Sequence, residues 1–140
     1  DGSDNADYFL YKFNISKKDK KRIKIIDNFY KEKINLKTFN AKNMNKVFYY
    51  NGKQAVIDIL NYRVLTSRKV DKSLDELTNY YKNSSVPIMP ISANLLMKKY
   101  DIPESKQLGE KLKIIEEEWI KNDFKISEDK MKEIILLHSN

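Results

Sequence analysis

Apolar residues along this chain recur at helical spacing, and no stretch alternates long enough to build a sheet. From Ser16 to about Lys33, the positions Ile23, Ile26 and Tyr30 follow an i, i+3, i+7 rhythm that marks one buried face. Shorter helices are expected over 41–50 and 53–67. The first should end at Asn51-Gly52, where glycine can take a left-handed conformation after the last turn. Another helix is expected over 74–82. Val86-Pro87-Ile88-Met89-Pro90 must then run extended, because each proline pushes its predecessor out of the helical region. Ser92 to Tyr100 reads as a short helix carrying Leu95 and Leu96. The strongest pattern lies over 102–122, where Leu108, Leu112, Ile115 and Trp119 recur at i, i+4, i+7 and i+11 as a continuous apolar stripe. A last helix over 128–138 offers Met131, Ile134 and Ile135 to a core, with His138 as a further candidate at its end.

The polar positions punctuate this pattern. Ser16-Lys17-Lys18-Asp19, Ser73-Leu74-Asp75-Glu76 and Asp101-Ile102-Pro103-Glu104 each resemble a capping box. In such a box one side-chain oxygen takes a free backbone N–H, and an acid follows three residues later. Ser127, followed by Glu128 and Asp129, is a weaker version of the same signal. With three glycines and three prolines, breakers are scarce. The expected fold is all-α, a compact array of about six to seven short and medium helices in one domain. The chain opens Asp1-Gly2-Ser3-Asp4 without an initiator methionine, so residues 1–8 read as a disordered or cloning-derived N-terminus. Residues 9–140 read as a single helical domain, the C-terminal part of a larger protein.

Composition narrows the chemistry. There is no cysteine, which excludes disulfides and cysteine-ligated zinc, and the one histidine, His138, sits at the end of the chain. A histidine metal cluster or a Ser-His-Asp triad has almost nothing to draw on. No apolar run approaches the roughly 20 residues that span a bilayer, so the chain reads as soluble and cytoplasmic, with no membrane partner. The net charge of +7 is unevenly placed: residues 1–70 carry +9 and residues 71–140 carry −2. A basic half is a plausible footprint for a polyanion. Coding bias would produce it equally well, since Lys, Asn and Ile dominate throughout and the only arginines are Arg22, Arg63 and Arg68.

The first helix is where the charge acquires a pattern. At about 100° per residue, Lys17, Lys20, Lys21, Lys24 and Lys31 fall in one sector opposite Ile26 and Tyr30. Positive charge in a first turn opposes the helix dipole, typically by a few tenths of a kcal/mol per charge. Crowding Lys17, Lys18, Lys20 and Lys21 there adds mutual repulsion, which an RNA backbone across the face would remove. The plain alternative is a solvated lysine-rich face. Arg22 is taken with this set as a candidate RNA contact. A weaker set is Lys98, Lys99 and Lys106, near the start of the long helix, with Lys111 and Lys113 further along. There Asp101 and Glu104 are expected to occupy the positive end and oppose tight anion binding. Gly109, inside that helix, costs roughly 1 kcal/mol relative to alanine, and close packing of a neighbouring helix is its expected reason, ahead of a direct RNA contact. Trp119 completes the apolar stripe and is expected in the core rather than as a base-stacking platform, while one of Tyr49 and Tyr50 could stack on a base. Glu116-Glu117-Glu118 cannot converge on one ion, because adjacent helical residues diverge by about 100°. No Gly-rich phosphate loop and no paired carboxylates at nucleotidyltransferase spacing occur, so no catalytic and no metal-ligating residue is assigned.

Taken together, these segments resemble the C-terminal region of bacterial tRNA nucleotidyltransferases, the CCA-adding and poly(A)-polymerase-type enzymes. That family tends to show a proline-flanked extended piece, a "D-L-(L/M)-x-x-G-(I/V)-x-P-G-P" element, and a helix with a glycine, spaced leucines and an acidic stretch ending in Trp-Ile. Leu95-Leu96-Met97, Ile102, Gly109, Leu112, Glu116 to Glu118 and Trp119-Ile120 match it. Upstream, Phe13-Asn14-Ile15-Ser16-Lys17-Lys18-Asp19 resembles the family's "L-x-L-S-N-x-(E/D)" helix entry. Val47-Phe48-Tyr49-Tyr50-Asn51-Gly52 with Asp58 resembles its "Y-R-x-G-x-x-x-x-x-D" element. Asp101 stands where the family has glycine, Ile102-Pro103-Glu104-Ser105 replaces the Pro-Gly-Pro turn, and Tyr50 replaces the arginine. The resemblance implies a helical body-and-tail domain that helps hold tRNA and packs on catalytic and neck domains of the same protein. It also implies that magnesium and CTP or ATP belong to those N-terminal domains, leaving no cofactor and no catalysis to this chain.

Overall fold

The computed structural model describes residue 8 and residues 15–32, 41–67 and 70–137. The expectations for residues 1–7, Phe13, Asn14, Lys33 and His138 lie outside the described residues. Seven helices and no strand occur among the described residues, so the fold is all-α. Contacts group the chain into two compact units, Asp1–Ser85 and Val86–Asn140.

The first unit holds α1 (Lys17–Glu32), α2 (Ala41–Asn51), α3 (Lys53–Thr66) and α4 (Lys72–Lys82). Helix α3 is its axis, packing against α1, α2 and α4. That explains why Ala55, Val56, Asp58, Ile59 and Leu60 are all buried, more than one face of a helix can hide against a single neighbour. Met44 and Phe48 of α2 and Leu74 and Tyr81 of α4 complete the core. The Phe48 and Tyr81 rings meet edge to face at 4.9 Å, and the Tyr81 hydroxyl donates to Oδ1 of buried Asn45 at 2.7 Å. In α1 the most deeply buried residue is Phe29, while the expected Ile23, Ile26 and Tyr30 are only half-buried. This is the behaviour of a helix that leans on one partner.

The helix ends show which sequence signals were decisive. Ser16 caps α1, accepting from the Asp19 N–H at 3.2 Å, as its capping box predicts. Gly52 separates α2 from α3 with φ +90° and ψ 176°, and its N–H donates to the Phe48 carbonyl at 3.0 Å. Its positive φ demands glycine, although the ψ is extended rather than left-handed helical. Helix α4 begins two residues earlier than expected. Its cap is Asp71, which accepts from both the N–H and the hydroxyl of Ser73. A carboxylate already placed before Ser73 wins that N–H, which demotes the Ser73–Glu76 box.

The second unit holds α5 (Ala93–Tyr100), α6 (Lys106–Lys121) and α7 (Glu128–Leu137), preceded by the non-helical residues 84–92. Its core joins Ile91, Leu96, Leu108, Ile115, Met131, Ile134 and Ile135, with Leu112 packed against it. The expected box at Asp101–Glu104 does not start the long helix. Asp101 instead closes α5 in the left-handed region (φ 54°, ψ 45°), Pro103 keeps Ile102 out of a helix, and Ser105 caps α6 by accepting from the Leu108 N–H at 3.2 Å. Ser127 caps α7 in the same way, accepting from the Lys130 N–H at 3.1 Å. Trp119 is buried as expected. The Phe124 N–H returns to the Trp119 carbonyl at 2.8 Å while the two rings meet at 5.0 Å, so the turn that ends α6 also closes over the indole. Gly109 does not have its expected neighbour among the described residues: it is exposed, and a Cβ there would meet none of their atoms within 4 Å.

Candidate nucleic-acid interface

Helix α1 is fastened to α3 by polar side chains at two levels, and these decide which of its cations are available. Arg22 reaches across to Asp58, with Nε donating to Oδ2 and Nη2 to Oδ1, both at 2.8 Å. Gln54 adds a third bond to Oδ1 at 2.9 Å. The Asp58 side chain is only 8 % exposed. Burial pushes its carboxyl up, but the bonds from Arg22 and Gln54 and the guanidinium charge outweigh that and hold it below the usual carboxylate range. The same bond and charge raise Arg22 above its ordinary value. Arg22, a member of the candidate RNA-contact set, is thus committed to a fork-shaped pair inside the unit. Further along, the Tyr30 hydroxyl donates to the Ile59 carbonyl at 2.8 Å and its ring meets Tyr62 at 4.9 Å. Burial pushes the Tyr30 phenol up to about 12.

With those side chains turned inward, the lysines are left outward. Lys17, Lys18, Lys21 and Lys24 are exposed and Lys20 is half-exposed, and among the described residues no acid pairs with any of the five. Asp19, the one acid in their midst, lies 3.6 Å from Arg22. Lys31 differs: it pairs with Asp27 at 2.8 Å, one turn back. Of the expected stripe Lys17, Lys20, Lys21, Lys24 and Lys31, only Lys31 has an acidic partner among the described residues, while Arg22, outside that stripe, is paired with Asp58.

Lys98, Lys99 and Lys106 lie in the second unit. Lys98 and Lys106 are exposed; Lys99 pairs with Glu128 at the start of α7, which raises the lysine and lowers the glutamate from their ordinary values. Because α6 starts at Lys106 and is capped by Ser105, Asp101 and Glu104 do not occupy its first turn. Lys111, which the sequence groups with this patch, is 5 % exposed, on the face shared by Leu108 and Ile115. Its spacing from both neighbours, three residues after one and four before the other, is the signal that places it there. The structural candidates Gly52, Gly109 and Trp119 serve, in turn, as a required positive-φ linker, an unpacked helix position and a core indole.

Tyr49 and Tyr50 behave as an unequal pair, Tyr49 half-buried and Tyr50 51 % exposed, with ring centroids 5.1 Å apart. Sequence reasoning does not single out Lys53, whose ammonium donates to the Lys82 carbonyl at 2.9 Å. Nor does it single out Tyr80, which is 53 % exposed. Their placement depends on α3 meeting α4, which no local spacing encodes. Among the described residues no group of three or more acids or histidines is placed to hold a metal ion, and no helix is long and apolar enough to cross a membrane. No protein family, curated protein or solved structure matches the chain.

Proposed function

We propose that this chain is the C-terminal helical domain of a tRNA nucleotidyltransferase and that it holds tRNA through the outward face of α1. The observation that carries the RNA contact is the set of Lys17, Lys18, Lys20, Lys21 and Lys24, ammonium groups with no acidic partner among the described residues on two turns of one helix. Proteins normally intersperse charges of both signs on a solvated helix, because like charges at i, i+3 and i+4 repel. A polyanion offsets that repulsion, and phosphates spaced along a strand suit a row of flexible point charges. The identity of the parent enzyme rests on the resemblance of residues 9–137, and centrally of 86–120. On that reading, metal-dependent transfer of CMP and AMP, with magnesium and CTP or ATP, belongs to catalytic and neck domains outside this chain.

The test is tRNA affinity against salt concentration. Affinity should fall steeply as salt rises. Charge reversal at Lys17, Lys20, Lys21 and Lys24 should both weaken binding and flatten the slope, by roughly 0.9 for each phosphate that is no longer neutralised. Absence of salt-dependent binding at low ionic strength, with the helical circular dichroism intact, would sink the RNA-contact reading. A second reading, a structural domain that docks the rest of its protein without touching RNA, is favoured by one specific feature. Leu65 (84 % exposed) and Val70 (94 %) in the first unit and Ile88 (89 %) in the second present apolar side chains to solvent. The two readings part on the salt experiment, because apolar docking has no counterion term.

A further inference from the structure

A guanidinium carries five N–H donors in one plane. In Arg22, one on Nε and one on Nη2 point along the same side of the group and are engaged by the Asp58 carboxylate. The others, on Nη1 and on the far side of Nη2, make no hydrogen bond among the described residues. The pair thus has a closed side and an open one: the Asp58 side chain is 8 % exposed, that of Arg22 42 %. Beside the open edge stands Asp19, whose Oδ1 lies 3.6 Å from Nη1, too far for a hydrogen bond. Lys18, four residues before Arg22 and so a neighbour on the surface of α1, is exposed, and so is Lys21.

We propose that this open edge is a seat for one phosphate of the RNA backbone, and that Asp19 is its internal competitor, a carboxylate that lies by the edge until a phosphate displaces it; this rests on the reading of α1 as an RNA contact. A phosphodiester has two free oxygens, which match the fork formed across Nη1 and Nη2. The lysines of α1 attract a strand without fixing it, because each ammonium is a point charge on a flexible stem. Arg22 is fixed beforehand. Bonds of 2.8 Å to both oxygens of Asp58, itself held by Gln54 at 2.9 Å, set the plane of the guanidinium before any ligand arrives. Little side-chain freedom is then left to lose on binding. The charges divide the work in the same way. Asp58 balances the positive charge of Arg22, so the seat supplies direction and the five lysines supply the long-range pull. Asp19 opposes entry, since a phosphate on Nη1 meets a carboxylate of the same sign. The Asp19 side chain accepts no hydrogen bond among the described residues and has only the 3.6 Å ion pair to hold it, so it is free to turn away.

The experiment is a double-mutant cycle on tRNA affinity, measured by fluorescence anisotropy at one low salt concentration. Asp19→Asn should tighten binding about two- to fivefold, the worth of one exposed charge contact. Glu32→Gln, the same change of charge at the far end of α1, should have a smaller effect than that. Arg22→Lys keeps the charge and loses both forks; with its helical circular dichroism intact, it should weaken binding about tenfold. In the Arg22→Lys background the gain from Asp19→Asn should disappear. A gain of the same size in that background overturns the seat, because Asp19 then acts on the lysines alone, and it leaves the lysine reading intact. So does an Asp19→Asn variant with the affinity of the parent. Should Arg22→Lys unfold, the parent chain decides by nuclear magnetic resonance. On titration with tRNA the guanidinium proton signals of Arg22 should shift as the complex saturates, and signals that stay in place at saturation overturn the seat. If the parent chain binds no tRNA, both readings fall.

Discussion

Tyr81 and Tyr100 both pack among apolar side chains, with opposite fates for their hydroxyls. That of Tyr81 donates to Asn45, itself 1 % exposed, whereas that of Tyr100 is buried with no hydrogen-bond partner among the described residues. Removing one partner of a buried bond strands the other, so Tyr81→Phe should destabilise by about 1–2 kcal/mol. Tyr100→Phe removes an unmade bond and should leave stability unchanged or raise it by up to about 1 kcal/mol; urea denaturation midpoints of the two variants should move apart. Gly109 belongs to the same scale. Sequence shows a helical glycine and its cost but not what surrounds it, and among the described residues the expected neighbour is absent. Gly109→Ala should therefore stabilise by about 1 kcal/mol, read as a raised midpoint at an unchanged slope. A close-packed helix there would have made the same substitution destabilising.

At the scale of the element, the helix interiors were readable because burial repeats every three to four residues, as Leu108, Leu112, Ile115 and Trp119 demonstrate. The ends of α4 and α6 were not, because several neighbouring side chains could each cap a helix start, and Asp71 and Ser105 do so rather than Ser73 and Asp101. Accordingly, Ser105→Ala should cost about 1 kcal/mol and Glu104→Ala less than about 0.5 kcal/mol, reversing what a box starting at Asp101 requires. The pairing of α1 with α3 was equally hidden, since Arg22 and Asp58 lie 36 residues apart and only the fold joins them. That pair has a pH signature. The Asp58 carboxyl is held below its ordinary value of 3.8, so its contribution is present at neutral pH and is lost as pH falls through the lowered value. Asp58→Asn should lower the melting temperature at neutral pH and flatten its decline in acid. Tyr30 acts at the other extreme. Its phenol is raised from 10.0 to about 12, so its contribution holds below pH 10 and is lost as pH climbs toward 12, a loss that Tyr30→Phe should abolish.

For the whole molecule the question is whether the net charge of +7 is a property of composition or of place. Both accounts predict some attraction to RNA at low salt, so affinity alone does not separate them. Place does. The first unit carries five lysines without an acidic partner among the described residues close together on α1, whereas the exposed Lys113, Lys121, Lys125 and Lys132 of the second unit stand in sequence among Glu110, Glu117, Glu118, Asp123, Asp129 and Glu133. Reversing Lys17, Lys20, Lys21 and Lys24 to glutamate, or reversing Lys113, Lys121, Lys125 and Lys132 instead, changes net charge by the same amount. If composition governs, the two quadruple variants should lose equal affinity, because long-range attraction depends on total charge and is screened beyond about 10 Å at 0.1 M salt. If α1 is the contact, the first variant should flatten the salt slope by about 3 while the second leaves it near that of the parent, since the slope counts phosphates neutralised at the contact rather than charge elsewhere. Equal slopes in the two variants would return the lysines of α1 to the status of a solvated face.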